Sequence, residues 1–202
     1  MPFIIFDTEY TTWPGCQEHG WHGHQKREIV QLAALKISRD LRVLRTLNLL
    51  CRPAVNPVLS DYFIRLTGIT NEMIQKQGAD FQTVYQRFRD FVGNNPCVSH
   101  SFDRPWEDEA DGAIVTENLK INKLPVEKNM TYYNIGAWFQ KQYERQGIQN
   151  PPKSSGQIVK VLELESQIKE LGLDEHNALY DVYSILIGMR YFVHRCGAKI
   201  RV

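Results

Sequence analysis

Hydrophobic positions along the chain follow two different periods, and each period predicts a different kind of element. The apolar run PFIIF and the segments EIVQLAALKIS and RVLRTLNLLCRP are typical of strands, with SRDL as a hairpin turn between the last two. The short run PCVSH predicts one more strand. PFIIF is apolar without alternation, which indicates a strand that is buried on both faces.

Helical spacing dominates the remainder of the chain. LSDYFIRLTGIT predicts short helical pieces, and DFQTVYQRFRDFVG predicts an amphipathic helix after an Asp80 N-cap. Further helices are predicted from Asp111 onward, in IGAWFQKQYERQG, in IVKVLELESQIKELG and in NALYDVYSILIGMRYFVHRC. Three strands followed by a helix, a strand and more helices favour an α/β fold, with a mixed β-sheet flanked by α-helices.

Length and composition favour one domain over residues 1–202. The 43% hydrophobic content can form one sizeable core, and a net charge of +1 gives no global preference for nucleic acid or membrane. The N-terminus lacks the pattern of a signal peptide, and no apolar stretch approaches the roughly 18 residues of a membrane span. We therefore expect a soluble cytoplasmic protein without a membrane partner, whose four dispersed cysteines stay reduced.

Two carboxylates follow the first apolar run, in FDTEY. Asp7 and Glu9 are two residues apart, so on a strand their side chains share a face. Two charges at the end of a buried strand need a cation, and carboxylate oxygens suit Mg²⁺ or Mn²⁺. Two solvated acids at a strand end are the alternative, which only the remainder of the sequence can decide.

A second pair of chemically active residues lies in HNALYD, where His176 and Asp181 are predicted on the first turns of the last helix. Together with FDTEY and LTGIT, this pattern resembles the DEDDh family of 3′-to-5′ exonucleases, which has a ribonuclease H-like fold. The family's first motif is D-x-E at the end of the first strand, and its third is H-x-A-x-x-D. The resemblance covers nearly the whole chain.

The second motif departs from the family pattern. The family has one Asp at a helix start with apolar residues three and four positions later, whereas SFDRPWEDEADGAIVTENL offers Asp103, Asp108 and Asp111. The letters FD favour Asp103, but a proline and an acidic run then interrupt the amphipathic pattern. Asp111 is followed by apolar residues in helical register. We choose Asp111, with Asp108 and Asp103 as open alternatives.

The resemblance implies a metal-dependent enzyme that releases nucleoside 5′-monophosphates from the 3′ ends of single-stranded DNA or RNA. Two Mg²⁺ or Mn²⁺ ions would clamp the attacking and leaving oxygens. As the resemblance implies, Asp7 bridges both ions, while Glu9, Asp111 and Asp181 complete the metal site. Histidine titrates near physiological pH, which suits His176 to act as the general base.

Substrate contacts are predicted in two places. In LTGIT, Gly68 permits close backbone approach, Thr67 offers a hydroxyl, and Ile69 can wedge against a terminal base. A turn followed by a helix cap is the structural alternative for this segment. Tyr10 and Trp13 can stack on unpaired bases, although core packing competes for both side chains.

A stretch rich in histidine and glycine, CQEHGWHGH, holds Cys16, His19, His22 and His24, which are all potential zinc ligands. Their spacing is unusual for a structural zinc site. The composition is that of a mobile loop between the first two strands, on the active-site side.

Two other interpretations stay open beside the exonuclease. The chain could be a catalytically silent module that keeps this fold and binds nucleic acid or docks a partner, which would require that none of the three candidate acids reaches the metal site. It could also be an enzyme of the same fold that acts on very short oligonucleotides. The choice between DNA and RNA depends on contacts to the 2′-hydroxyl, which no motif announces.

Overall fold

A mixed β-sheet forms the centre of the protein. The computed structural model describes residues 2–101, 110–126, 130–173 and 176–200, and within these residues the sheet has the strand order β3-β2-β1-β4-β5. The pairs β1–β2 and β2–β3 are antiparallel, whereas β1–β4 and β4–β5 are parallel. The predicted α/β fold with a mixed sheet is confirmed. The strands are β1 (Phe3–Tyr10), β2 (Ile29–Ile37), β3 (Val43–Leu50), β4 (Cys97–Ser99) and β5 (Tyr132–Asn134).

Helices follow the predicted order, and several begin at a capped residue. Ser60, Thr70 and Asp80 each accept a hydrogen bond from the backbone N–H three residues later, so the Asp80 cap is confirmed. No helix in the described part of the chain is long and apolar enough to cross a membrane. The helices are α1 (Cys16–His19), α2 (Asp61–Thr67), α3 (Asn71–Gln77), α4 (Phe81–Val92), α5 (Asp111–Ile121), α6 (Gly136–Arg145), α7 (Ile158–Val161), α8 (Glu165–Lys169) and α9 (Ala178–Cys196), with a 3₁₀ turn (Ser155–Gln157) before α7.

The two faces of β1 lie in two different hydrophobic clusters, because successive side chains of a strand point to opposite sides. Phe3 and Ile5 pack in one cluster with α6 and α9. Ile4 and Phe6 pack in the other with α4 and α5. This alternation sets the direction of the next residues: Asp7 and Glu9 continue the α9 face, and Thr8 continues the α5 face.

The segment IVKVLELESQIKELG forms two short helices instead of the one predicted helical segment. Helix α7 ends where Glu163 adopts a left-handed φ of 57°, and the N–H of Leu164 donates to the carbonyl of Val159. This closure has the form of a Schellman motif. It reverses the chain so that Val159 and Ile168 pack against Tyr180 of α9.

Two further elements differ from the sequence analysis. Strand β5 is only three residues long, and its pattern is too short to be recognised as a strand. The stretch predicted as a mobile loop contains α1, a single turn whose Cys16 is buried.

Candidate active site

The first acid pair lies where β1 leaves the hydrophobic core. Asp7 is opposite Ala33 and Glu9 is opposite Gln31 in the antiparallel ladder with β2. The side chain of Asp7 is buried, with 6% of the residue exposed, and Glu9 is half-buried. Both residues lie on the side of the sheet that faces α9.

Asp181 joins this pair from the fourth position of α9. Ligand oxygens of Asp7, Glu9 and Asp181 all lie within 4.8 Å of one another. Among the described residues, Asp7, Glu9 and Asp181 form the one cluster of Asp, Glu, His or Cys side chains whose ligand atoms are close enough together to hold a metal ion. The prediction that strand β1 and the last helix bring these carboxylates together is therefore seen in the structure, while their catalytic roles stay predictions.

The electrostatics of the cluster favour a bound cation. Burial raises the pKa of Asp7 well above its usual value, and the nearby charges of Asp111, Asp181 and Glu9 raise it further. The pKa of Glu9 is also raised, first by burial and then by Asp181 and Asp111. A set of mutually repelling, desolvated carboxylates is relieved by protons or by a hard cation, and oxygen ligands of this kind fit Mg²⁺ or Mn²⁺.

Asp111 approaches β1 from the opposite face. It is the first residue of α5, as predicted, and its Oδ1 accepts hydrogen bonds from Thr8 Oγ1 at 2.6 Å and from the Thr8 N–H at 3.2 Å. Its own N–H donates to Ser99 Oγ at 3.1 Å. Burial raises the pKa of Asp111 to about 6, with the bonds from Thr8 acting in the other direction. Asp111 is thus close enough to influence the acids of β1, but it lies outside the converging triad.

The competing candidates for the second motif cannot be compared with Asp111 directly. Asp103 and Asp108 lie outside the residues that the structure describes. The helix that the apolar register predicts after Asp111 does form, because Ile114, Val115 and Leu119 pack in the cluster shared with β1. The choice of Asp111 as the metal ligand therefore stays a prediction.

His176 lies outside the last helix, so its predicted position on the first turns of that helix is wrong. The N-cap of α9 is Asn177, whose side chain accepts a hydrogen bond from the N–H of Leu179 at 3.0 Å. A capping residue needs an extended backbone, and the chain turns into it through His176, which has a left-handed φ of 58° and is exposed. The imidazole is therefore on a turn beside the helix that carries Asp181.

Gln31 connects this turn to the acid pair, although no sequence motif indicated it. Its Nε2 donates to Asn177 Oδ1 at 3.1 Å, and its Oε1 accepts from the N–H of Ala178 at 3.0 Å. Gln31 is also the ladder partner of Glu9. A buried amide on β2 thus holds the start of α9 and the neighbouring His176 beside the first acid pair.

The predicted substrate segment LTGIT forms the end of α2 and the start of α3. Thr67 Oγ1 donates to the carbonyl of Phe63 and accepts from the N–H of Ile69, while Gly68 ends α2 with a left-handed φ of 71°. Ile69 is only 1% exposed, but it lines a cavity of about 280 Å³ together with Gln31 and Asn177. Gln31 and Asn177 connect this cavity to the start of α9, and the contact of the segment with substrate stays a prediction.

Tyr10 is held on the α5 side of the acid pair. Its ring packs 5.7 Å from the ring of Trp21, and burial followed by the charge of Asp111 raises its pKa to about 12. The aromatic platform predicted for Tyr10 is therefore partly used by a protein side chain.

The cysteine and histidine stretch does not assemble as a metal site. Cys16, His19, His22 and His24 do not form a converging ligand set among the described residues. Instead, the Sγ of Cys16 donates to Gln25 Oε1 at 3.7 Å.

The fold and the acid cluster define a nuclease of the ribonuclease H-like exonuclease class. The chain belongs to the exonuclease family RNase_T, whose profile matches residues 4–187. No curated protein gives a significant match to the sequence.

Solved structures with the same fold include DEDDh exonucleases. Cell-death related nuclease 4 (CRN-4) superposes with a TM-score of 0.74 at 17% identity, over 96% of this chain and 64% of that one. The nuclease domain of 3′hExo, a DEDDh family member bound to rAMP, gives 0.67 at 18% identity, over 100% and 96%. The zinc-bound complex of E. coli ExoI with single-stranded DNA gives 0.67 at 16% identity, over 96% and 41%. This chain spans less than two thirds of the length of CRN-4 and of ExoI. The resemblance to the DEDDh family is confirmed.

Proposed function

We propose that this nuclease is a 3′-to-5′ exonuclease that uses two divalent ions, Mg²⁺ or Mn²⁺, to degrade single-stranded DNA or RNA. The observation that carries the proposal is the convergence of Asp7, Glu9 and Asp181 within 4.8 Å. The relatives support the substrate class, because 3′hExo was solved with rAMP and ExoI with single-stranded DNA. The expected products are nucleoside 5′-monophosphates.

The acidic residues of the cluster, Asp7, Glu9 and Asp181, whose ligand oxygens converge, would hold the divalent ions. Bound there, divalent ions supply charge stabilisation for the attacking and leaving oxygens of an in-line displacement. Asp111 would complete the acidic set from the α5 face of β1.

His176 is proposed as the general base that takes the proton from the attacking water. Its exposed position on a turn leaves the ring accessible to substrate, and the hydrogen bonds between Gln31 and the start of α9 keep the turn beside Glu9.

The decisive experiment uses 5′-labelled single-stranded DNA and RNA with free or blocked 3′ ends, incubated with Mg²⁺, Mn²⁺ or a chelator. We expect a metal-dependent ladder that shortens from a free 3′ end and is absent with a blocked end. Asp7→Ala is expected to give no ladder. Asp90→Ala is the matched control, because Asp90 is an exposed acid on α4, which packs against the other face of the sheet.

The other outcomes separate the alternatives. Binding of the oligonucleotides without cleavage under any metal would contradict the proposal and favour a catalytically silent module. Cleavage confined to very short oligonucleotides would identify an enzyme that acts on such substrates. Products that shorten from the 5′ end would contradict the proposed direction.

A further inference from the structure

The 3₁₀ turn before α7 places a serine hydroxyl between two of the converging acids. Ser155 Oγ lies 2.8 Å from Asp181 Oδ2 and 3.5 Å from Asp7 Oδ1. The residue is 7% exposed, so water does not compete freely for these bonds. A hydroxyl has one proton to donate, and the shorter distance assigns it to Asp181.

The turn is fixed to the same helix that carries Asp181. Ser184 Oγ donates to the carbonyl of Ser155 at 2.6 Å and accepts from the N–H of Val159 at 3.3 Å. Ser184 is fully buried and lies three residues after Asp181, so both side chains project from one face of α9. Ser184 of α9 therefore holds the backbone of Ser155, and Asp181 of the same helix accepts the hydrogen bond from the Ser155 hydroxyl.

Gly156 allows this close approach. A Cβ at this position would lie 2.6 Å from Asp181 Oδ1, which is closer than van der Waals contact permits. The backbone of the turn thus lies against one carboxylate oxygen of Asp181 while the Ser155 hydroxyl bonds to the other. The orientation of the carboxylate is restricted on both sides.

We propose that Ser155 is a positioning residue that sets the orientation of the Asp181 and Asp7 carboxylates for divalent metal. The inference rests on the proposed function, in which these carboxylates hold the ions. The Ser155 hydroxyl donates to Asp181 and lies beside Asp7, so it contacts two of the three carboxylates that would hold the ions. Groups that orient metal ligands typically change metal affinity or activity by about 10- to 100-fold when removed.

The test is Ser155→Ala, with Mn²⁺ binding measured by calorimetry and with initial rates measured against Mn²⁺ concentration. We expect the half-saturating Mn²⁺ concentration to rise about tenfold in both measurements, with little change in KM for the oligonucleotide at saturating Mn²⁺. The matched control is Ser154→Ala, because Ser154 is half-buried and its side chain makes no capping hydrogen bond. This control is expected to bind Mn²⁺ as the unmodified protein does.

A second pair of variants tests the hydroxyl at constant volume. Ser155→Thr keeps a hydroxyl and Ser155→Val replaces it with a methyl group of similar size, so any cost of the larger side chain is shared. We expect the Thr variant to bind Mn²⁺ more tightly than the Val variant, which decides the question even where Ser155→Ala fails to fold. Equal binding by Thr and Val, or a Ser155→Ala curve that overlays the control, would overturn the role of Ser155. Absence of Mn²⁺ binding by the unmodified protein would instead overturn the proposed function.

Discussion

The two helix-borne acids that approach β1 differ in how the protein holds them. Asp181 comes from α9 on the face shared by Asp7 and Glu9, and its carboxylate converges with theirs. Asp111 comes from α5 on the other face, and its Oδ1 accepts two hydrogen bonds from Thr8. Both carboxylates accept a hydrogen bond from a hydroxyl group. The Ser155 hydroxyl orients Asp181 within the triad, whereas the Thr8 hydroxyl holds Asp111 outside the triad.

The alternation of β1 explains this difference. In the sequence Asp7-Thr8-Glu9, the outer two residues face α9 and the middle one faces α5. A single strand end therefore meets acids from both sides of the sheet, and burial raises the pKa of Asp7, Glu9 and Asp111. The four acids are therefore not equivalent, and substitution of each one is expected to have a different effect.

The largest effect is expected from Asp181→Asn, which removes one charge of the converging triad without changing its shape. Loss of several kcal/mol of transition-state stabilisation corresponds to a decrease in kcat of about 10³-fold or more. The metal-free melting temperature should rise, because one of the repelling charges is removed. Steady-state kinetics and thermal melts, with Asp90→Asn as the control, check both statements. Retention of full activity by Asp181→Asn would remove this residue from the site.

A smaller loss is expected from Asp111→Asn, on the order of 10- to 100-fold, because this acid lies outside the triad and acts on it from the other face. Asp103→Asn and Asp108→Asn are measured at the same Mn²⁺ concentration. We expect both to retain more activity than Asp111→Asn. If Asp111→Asn is fully active while one of the others is inactive, the assignment of the second motif moves to that residue.

Thr8→Val should reduce activity by about tenfold, because it removes the 2.6 Å hydrogen bond to Asp111 while keeping a β-branched side chain. The backbone N–H of residue 8 still bonds to Asp111, so the loss is expected to be partial. Thr46→Val on the exposed strand β3 serves as the control. An unchanged rate in Thr8→Val would mean that the second bond alone positions Asp111.

The smallest effect concerns the pH dependence of stability without metal. The pKa of Asp111 is about 6 in the folded protein against an ordinary value of 3.8, so the folded state binds this proton more tightly than the unfolded state does. The resulting stability is fully present below about pH 4 and is lost as the pH rises through about 6. We expect the metal-free melting temperature to fall across this range, and to fall less in Asp111→Asn. Equal slopes for both proteins would contradict the raised pKa.

Much of the fold could be predicted from the sequence because the spacing of apolar residues along the chain indicates most strands and helices. Strands β1 to β4 and helices α4, α5, α6 and α9 follow from apolar spacing and from caps such as Asp80. The predictions are wrong where one or two residues determine where a helix ends or begins. The turn at Glu163 separates α7 from α8, and the cap at Asn177 leaves His176 outside α9. At both places the backbone conformation of one residue outweighs the spacing around it.

The features of the candidate site likewise include some that local sequence predicts and others that depend on tertiary contacts. The sequence by itself determined that Asp7 and Glu9 share a face, that Asp111 begins a helix, and that Asp181 lies early in the last one, since each depends only on near neighbours. Only the tertiary structure decided which acids converge and which residues orient them. Thr8 and Asp111 are 103 residues apart, and Ser155 and Asp7 are 148 apart. No local spacing encodes such pairs, because they form only when the two faces of β1 are covered by different helices.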